Sequence, residues 1–435
     1  MNPPRIAFTT LGCKVNQSET DLLARRFAAA GYRCVAFEEP AEVYVVNTCT
    51  VTHVADRKSR QMLNQARRLN PQALVVAIGC YASIVGDALA TEHTLVIRNR
   101  DKDRVLELVQ GRVTGAADDL PYHADSEKYL DTSGSQVRSR ALVKAQDGCD
   151  SHCTYCIIPR ARGRSRSVAP EEVVCRVQAL ADEGHAEVVI TGVDLGSYGE
   201  DTPDFPDLGG LLRRLLDETT VSRIRVSSLE PGDFDSSWLE LWADTRLCRH
   251  LHVPLQSGSA SVLQRMERTY RPQEFAAMVA ACRRSILGIT ITTDVMVGFP
   301  GETDSEFVEG YDFIRAMRFD GMHVFKYSAR SGTRAARMDQ QVSDDTRAER
   351  SRMLREEAAT GVQRLLARHE GMPAHVTWES TVDSLWRGLT DTNVRVYSSA
   401  PVRSGTLTRL RLGGPFRDGL WGEPAQADMP LVSVS

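Results

Sequence analysis

Gly148-Cys149-Asp150-Ser151-His152-Cys153-Thr154-Tyr155-Cys156 crowds three cysteines into one short loop, separated by three residues and then by two. A structural zinc site closes on four ligands, usually as two paired halves. Iron–sulfur clusters are held by closely spaced thiolates, normally four. Three thiolates leave one iron of a cubane open, and an open position is where a small ligand binds and reacts. His152 is an alternative fourth ligand, but it lies between two of the cysteines and would have to fold back. The bland alternative is three unrelated buried cysteines.

Outward from this loop the chain reads as repeated strand–helix units. Residues 139–144 form a strand that leads into the cysteines. Further apolar, β-branched runs follow at 188–192, 223–231, 250–256, 290–300 and 322–327, with helical patterns at 170–183, 206–216, 260–267, 273–287 and 304–318. Six strands alternating with helices predict a partial (β/α)6 barrel, in which working residues collect at the carboxyl ends of the strands. Those ends carry Thr191, Gly192, Ser228, Glu230, Gln256 and Asp294. Taken singly, the polar ones read as solvated loop residues; together they line one rim.

Residues 1–115 predict an open parallel α/β domain. The strands are 5–10, 43–46 and 74–78, and the helices run over 19–30 and 54–69, the second capped near Thr50 or Thr52. A cysteine follows each strand: Cys13, Cys49 and Cys80. Topology therefore brings three thiols, some thirty residues apart in sequence, to the edge of the sheet where such folds place ligands. Packing cysteines are the competing reading, and Cys34, Cys175, Cys248 and Cys282 have only that reading. Asn16 and Gln17 follow Cys13 and either shape its pocket or are solvated.

The 435 residues exceed one ordinary core; 42% are hydrophobic and 25% charged, with a net charge of −4. No apolar run reaches the roughly 18 residues that span a bilayer. The start of the chain lacks a signal-peptide core, so a cytoplasmic location is expected, with cysteines serving as metal ligands more than as disulfides. A negative total means that any nucleic-acid surface must be local. Arg160, Arg162, Arg164 and Arg166, just past the cysteines, either track phosphates, pair with the carboxylate of a bound ligand or pair with acidic neighbours. Residues 116–138 lose periodicity and predict a linker. A connecting helix spans 340–368, and short alternating strands from 373 on predict a small OB-like β-barrel over 372–435. Within it Arg387, Arg395, Arg409 and Arg411 alternate with apolar residues and should share an outer face suited to RNA, or simply solvated. The stretch from Asp418 is expected to contribute little.

CxxxCxxC is the signature of radical S-adenosylmethionine (SAM) enzymes, and nearly the whole chain resembles the methylthiotransferases among them. TLGCKVNQSET, VVNTCTV and IGCYA look like that family's N-terminal cysteine blocks, the first in its MtaB-type, tRNA-modifying form. TGVDLGSYG, SSLEP, HVPLQSGS and DVMVGFPGET look like its later motifs. The resemblance implies two [4Fe-4S] clusters, one on Cys13, Cys49 and Cys80 and one on Cys149, Cys153 and Cys156. It implies SAM held at the rim residues named above. It makes 139–368 the radical SAM core and 372–435 a TRAM-like RNA-binding domain. The implied activity is methylthiolation at C2 of N6-threonylcarbamoyladenosine-37, next to the tRNA anticodon. A reduced cluster would cleave SAM to a carbon radical, and a second SAM would give the methyl group. The implied partners are the tRNA anticodon loop and a cytoplasmic electron donor such as flavodoxin or ferredoxin, with no membrane. Isopentenyladenosine-37 and a ribosomal-protein aspartate are alternative targets. A non-catalytic metal-binding RNA module, the alternative outside enzymes, would need closed four-ligand sites.

Overall fold

A computed structural model describes residues 3–114 and 140–424. The expected linker at 116–138 lies outside the described residues. The chain divides into two compact units: one joins the N-terminal domain to segments 147–166 and 328–336, the other holds 167–327 and the chain from 337 on, with the short strand before residue 147.

In the first unit, strands β1 (Arg5–Thr10), β2 (Arg33–Val35), β3 (Val43–Thr48), β4 (Leu74–Gly79) and β5 (Thr94–Val96) form one parallel sheet, ordered β2-β1-β3-β4-β5. All six residues of β3 are buried, as expected of a central strand covered on both faces. Helices α1 (Lys14–Ala29) and α4 (Val105–Thr114) flank one face, where Leu23, Phe27, Val105 and Val109 join Ile6, Val43, Val45 and Ile78. Helix α2 (His53–Leu69) covers the other with Leu63 and Ala66 against Tyr44, Val46 and Ala77. Thr52 caps α2 by accepting from Ala55 N (3.1 Å). Helix α3 (Cys80–Val85) follows β4 without a break. The two edge strands, three residues each, carry too short a pattern to read from sequence.

In the second unit, β6 (Arg140–Lys144) pairs with β9 (Glu187–Thr191), and β9 with β10 (Arg223–Val226). Strands β11 (His250–His252), β12 (Thr290–Val297) and β13 (Gly321–Lys326) continue in parallel. The parallel bridge Ser228–His252 joins the two sets, so six strands run in sequence order as an open barrel, the expected architecture. Two-residue strands β7 (Gln146–Asp147) and β8 (Arg166–Ser167) pair with each other. Along β12, Thr292, Asp294 and Met296 are half-buried while Thr293, Val295 and Val297 are fully buried. The buried set meets the flanking helices, and the half-buried set faces the barrel interior. Among those helices are α6 (Pro170–Asp182), α7 (Leu208–Glu218), α8 (Ala260–Arg265), α9 (Pro272–Ser285) and α10 (Asp304–Met317). Helix α5 (Ile158–Arg162) belongs to the first unit.

Helix α11 (Asp344–His369) leads to a closed five-stranded barrel of β14 (Pro373–Val382), β15 (Leu385–Thr390), β16 (Arg395–Ser398), β17 (Leu407–Phe416) and β18 (Gly419–Pro424). Trp378, Val376, Val396, Leu410, Leu412 and Leu420 fill it. The expectation for the stretch from Asp418 is corrected here: β18 pairs with both β16 and β17 and closes the barrel. Its glycines and proline hid a strand whose pairing is supplied by its neighbours. Residues 425–435 lie outside the described residues.

The small barrel is clamped to the large one through a fully buried carboxylate, Glu187. Arg225 Nε donates to it at 2.7 Å and Thr377 Oγ1 at 3.0 Å, while Arg223 lies at 3.5 Å. The two arginines also donate across to backbone carbonyls of the small barrel, Arg225 to Thr390 O (2.8 Å) and Arg223 to His375 O (3.1 Å). Among the described residues no helix is long and apolar enough to cross a membrane.

Candidate metal centres

Because β1, β3 and β4 are adjacent and parallel, the residues that follow them share one sheet edge. Cys13 is the N-cap of α1, Cys49 follows β3 and Cys80 opens α3. The turn into Cys13 depends on Gly12, whose φ of +99 favours glycine and where a Cβ would stand 2.9 Å from Cys49 Sγ. Ser59, buried on α2, holds Cys49 at both ends: its hydroxyl accepts from Cys49 N (3.1 Å) and donates to Cys49 O (2.9 Å). Asn16 donates to Leu11 O (2.8 Å) and Thr48 O (3.1 Å), tying the ends of two strands together, so it shapes the pocket. Cys13 is exposed while Cys49 and Cys80 are buried, which leaves the triad open on one side. Cys34 lies apart on β2, its sulfur 3.7 Å from Ala24 O.

Burial pushes the Cys49 thiol up to about 11, and neighbouring Cys80 and Cys13 add to the rise. Burial also raises Cys80, opposed by the charges of Arg162 and Lys102. Three thiols that influence one another electrostatically across a shared opening fit a cluster held by three thiolates. Binding it releases protons, since the ligands are thiolates.

The second triad occupies a loop fixed by backbone amides, one of which points at a cysteine sulfur. Ser151 N donates to Cys149 Sγ (3.3 Å), Cys149 N to Gly163 O (3.2 Å) and Cys156 N to Cys153 O (3.1 Å). Gly148 has φ +77, and a Cβ there would lie 1.9 Å from Arg164 O. All three cysteines are half-exposed. His152 is exposed, and its carbonyl accepts from Arg334 Nη2 (2.5 Å).

Within the arginine run past this loop, Arg162 alone turns fully inward, to acidic neighbours. Arg162 is buried, with Nη1 2.6 Å from Asp147 and 3.1 Å from Glu19, and its other nitrogen bonds Asn16 Oδ1. Glu19 also pairs with buried Lys102. Burial disfavours the Arg162 charge, yet Glu19, Cys80 and Asp147 keep it well established. One residue further back, Ala161 O accepts from Asn99 Nδ2 (2.6 Å), and the same amide lies 3.9 Å from Cys80 Sγ. A single polar network thus touches both cysteine loops. Arg164 pairs with Asp150 (3.3 Å) and Arg160 donates to Ser331 O (3.2 Å).

Segment 328–336 escaped the sequence reading, having no periodicity. Arg330 reaches Thr50 Oγ1 (2.8 Å) and Asp56 (2.5 Å) beside the Cys49 loop, and Ala335 N donates to Thr154 O (2.9 Å) in the other loop. Its arginines and glycine were the only available signal.

In the second unit, Thr191 ends β9, and the turn after Gly192 is pinned by Gln146 Oε1, which accepts from Val193 N (3.0 Å) and Asp194 N (2.9 Å). Ser228 bridges to His252, and Glu230 pairs with Arg268. Gln256 N donates to Asp294 O (2.8 Å). Asp294 lies within β12 opposite His323, with its carboxylate 3.2 Å from His252 Nε2. The rim also holds a pair that sequence reading did not single out. Burial and the neighbouring Asp194 push the Asp233 carboxyl up to about 7.

On the small barrel Arg387 pairs with Glu379 (3.5 Å) and Arg395 with Asp418. Arg409 and Arg411 on β17 are exposed, their neighbours Leu410 and Leu412 in the core. The outward alternation holds, but half of the positive charge is neutralised locally.

Comparison with known proteins returns the radical SAM superfamily over residues 143–314 and the uncharacterized protein family UPF0004 over 5–97. The chain is 37% identical to the threonylcarbamoyladenosine tRNA methylthiotransferase MtaB of Bacillus subtilis, covering 95% of each. It is 34% identical to the tRNA-2-methylthio-N(6)-dimethylallyladenosine synthase of Moorella thermoacetica, over 80% of this chain and 81% of that one. Among solved structures, the radical SAM methyltransferase TsrM of Kitasatospora setae, with cobalamin and a [4Fe-4S] cluster bound, superposes with a TM-score of 0.55 at 15% identity, covering 77% of each chain. That likeness carries the fold alone.

Proposed function

This chain belongs to the radical SAM methylthiotransferase family, and we propose that it methylthiolates C2 of N6-threonylcarbamoyladenosine at position 37 of tRNA, beside the anticodon. The observation that carries this reading is the pair of open cysteine triads, Cys13/Cys49/Cys80 and Cys149/Cys153/Cys156, each set for a cluster with one uncovered iron. The near-full-length match to MtaB of Bacillus subtilis supports the nucleoside.

When bound, a [4Fe-4S] cluster and SAM supply one-electron cleavage to a carbon radical, chemistry that acid–base side chains do not offer. The chain's own residues hold and separate the parts. Cys149, Cys153 and Cys156 take the SAM-binding cluster, and Cys13, Cys49 and Cys80 take the one that carries sulfur. For SAM itself we assign Thr191, Gly192, Ser228, Glu230, Gln256 and Asp294. For RNA we assign Arg387, Arg395, Arg409 and Arg411, with Arg409 and Arg411 the stronger pair because no carboxylate takes their charge among the described residues. Functionally, residues 1–115 carry sulfur, 139–368 cleave SAM and 372–435 form a TRAM-like RNA domain. A tRNA substrate implies the cytoplasm and a flavodoxin- or ferredoxin-like electron donor there.

A second reading, dimethylallyladenosine-37 as the substrate, is favoured by the 34% relative named for that product. Mass spectrometry of nucleosides from total tRNA, with and without the gene, separates them. Loss of 2-methylthio-N6-threonylcarbamoyladenosine with accumulation of its precursor is expected. An unchanged profile in a host that makes the modification overturns the proposal.

A further inference from the structure

Helix α2 leaves the Cys49 loop and carries five basic residues, Arg57, Lys58, Arg60, Arg67 and Arg68, against one acid, Asp56, in a chain whose net charge is −4. Asp56 is turned away to Arg330 and Thr50. Ser59, Leu63 and Ala66 bury the opposite side. What remains outward is a single stripe: Arg57, Arg60, Gln61, Asn64 and Arg68 are all exposed and line one shallow, open depression. Their spacing of three, one, three and four residues keeps them on one helix face.

No carboxylate pairs with Arg57 or Arg68 among the described residues. Arg60 donates to Tyr81 OH (3.2 Å), and Tyr81 adjoins Cys80, so the stripe begins beside the sulfur-carrying triad. At that end Val51 (52% exposed) and Val54 (51%) present apolar surface next to Cys49. From Arg57 to Arg68 the helix rises about 16 Å, enough to face several successive phosphates of one strand at a few ångströms of rise per nucleotide.

We propose that this face of α2 is a phosphate-docking surface for the RNA substrate, the arginines and amides gripping the backbone while Val51 and Val54 meet the base brought to Cys49. This rests on the tRNA reading above. Arginine with amide side chains is the equipment of backbone contacts. An acidic protein partner fits less well, because from Arg57 onward the stripe lacks the apolar or aromatic centre of a protein interface.

The test is fluorescence anisotropy of the full-length, cluster-loaded protein with an anticodon stem-loop RNA carrying N6-threonylcarbamoyladenosine, across a salt series. Arg57→Gln/Arg68→Gln should bind about tenfold more weakly near physiological salt. The slope of log K against log salt should fall by about 1.4 to 1.8, the loss of two phosphate contacts. Arg57→Lys/Arg68→Lys should retain most of the slope, and Arg284→Gln, exposed on α9, should match wild type. Wild-type slope and affinity in the double Gln variant overturn the proposal. So does a variant that binds RNA normally but is reduced more slowly by an acidic flavodoxin, which would assign the face to a protein. If wild type itself fails to bind the hairpin, the tRNA reading falls with it.

Discussion

Glu187→Gln should loosen the small β-barrel from the large one. Burial opposes ionisation of Glu187, but Arg225, Arg140 and Arg223 outweigh it and hold the carboxyl at about 2. Its folded value lies below the unfolded 4.5, so the stabilisation is fully present above about pH 4.5 and is lost as pH falls toward 2. At about 1.4 kcal/mol per tenfold change in proton affinity, this amounts to about 3 kcal/mol at neutral pH. Glutamine keeps the shape but removes the charge, leaving Arg223 and Arg225 facing neutral acceptors, the Thr377 hydroxyl and backbone carbonyls, where the carboxylate stood. Breaking a buried pair in this way costs about 3–5 kcal/mol. Urea unfolding followed by tryptophan emission, with Trp238 and Trp242 replaced by phenylalanine, reads the small barrel, since the other three tryptophans, Trp378, Trp386 and Trp421, lie in its strands. The variant should unfold at markedly lower urea at pH 7, and the difference should narrow as wild type is titrated to pH 3. Equal midpoints at pH 7, or a difference that does not change with acid, would refute the clamp.

Other expectations concern the cysteine sites. Gly12→Ala should disturb the Cys13/Cys49 site, and Gly148→Ala the Cys149 loop, each cutting iron content by about half as read by iron assay and Mössbauer spectroscopy. Loss of both clusters in either variant would contradict independent sites. Alanine at Cys13, Cys49 or Cys80 should leave SAM cleavage measurable by chromatography and abolish sulfur insertion; equal loss of cleavage would remove the division of labour. Asp233, raised to about 7 by burial and Asp194, stabilises the fold when protonated and loses that contribution as pH climbs through 7. Asp233→Asn should therefore flatten the fall in thermal stability between about pH 4 and pH 7, and an undiminished fall there would place the titration elsewhere.

The three inner strands of the N-terminal sheet and the placing of the cysteines were legible because each rests on a short-range signal: a β-branched run followed by a cysteine, or a fixed spacing. The six barrel strands were legible for the same reason. Arg162 was not, since a run of four arginines looks identical whether it faces phosphate or Glu19, and only tertiary contact decides. Arg330 and Asp56 are 274 positions apart, beyond any period. Strand β18 exists because β16 and β17 pair with it, which no property of Gly419–Pro424 announces.

The first unit is not contiguous: it takes in 147–166 and is finished only by 328–336. During synthesis, more than two hundred residues separate the end of the N-terminal sheet from its last strap. At about 5–20 residues per second, the nascent domain waits roughly ten to forty seconds with Asp56 lacking its arginine. Until then Ser59 and the Thr50–Asp56 bond hold the Cys49 loop without its strap, and the interval before Arg330 emerges is a window in which cluster-delivery machinery would find Cys13, Cys49 and Cys80 most accessible.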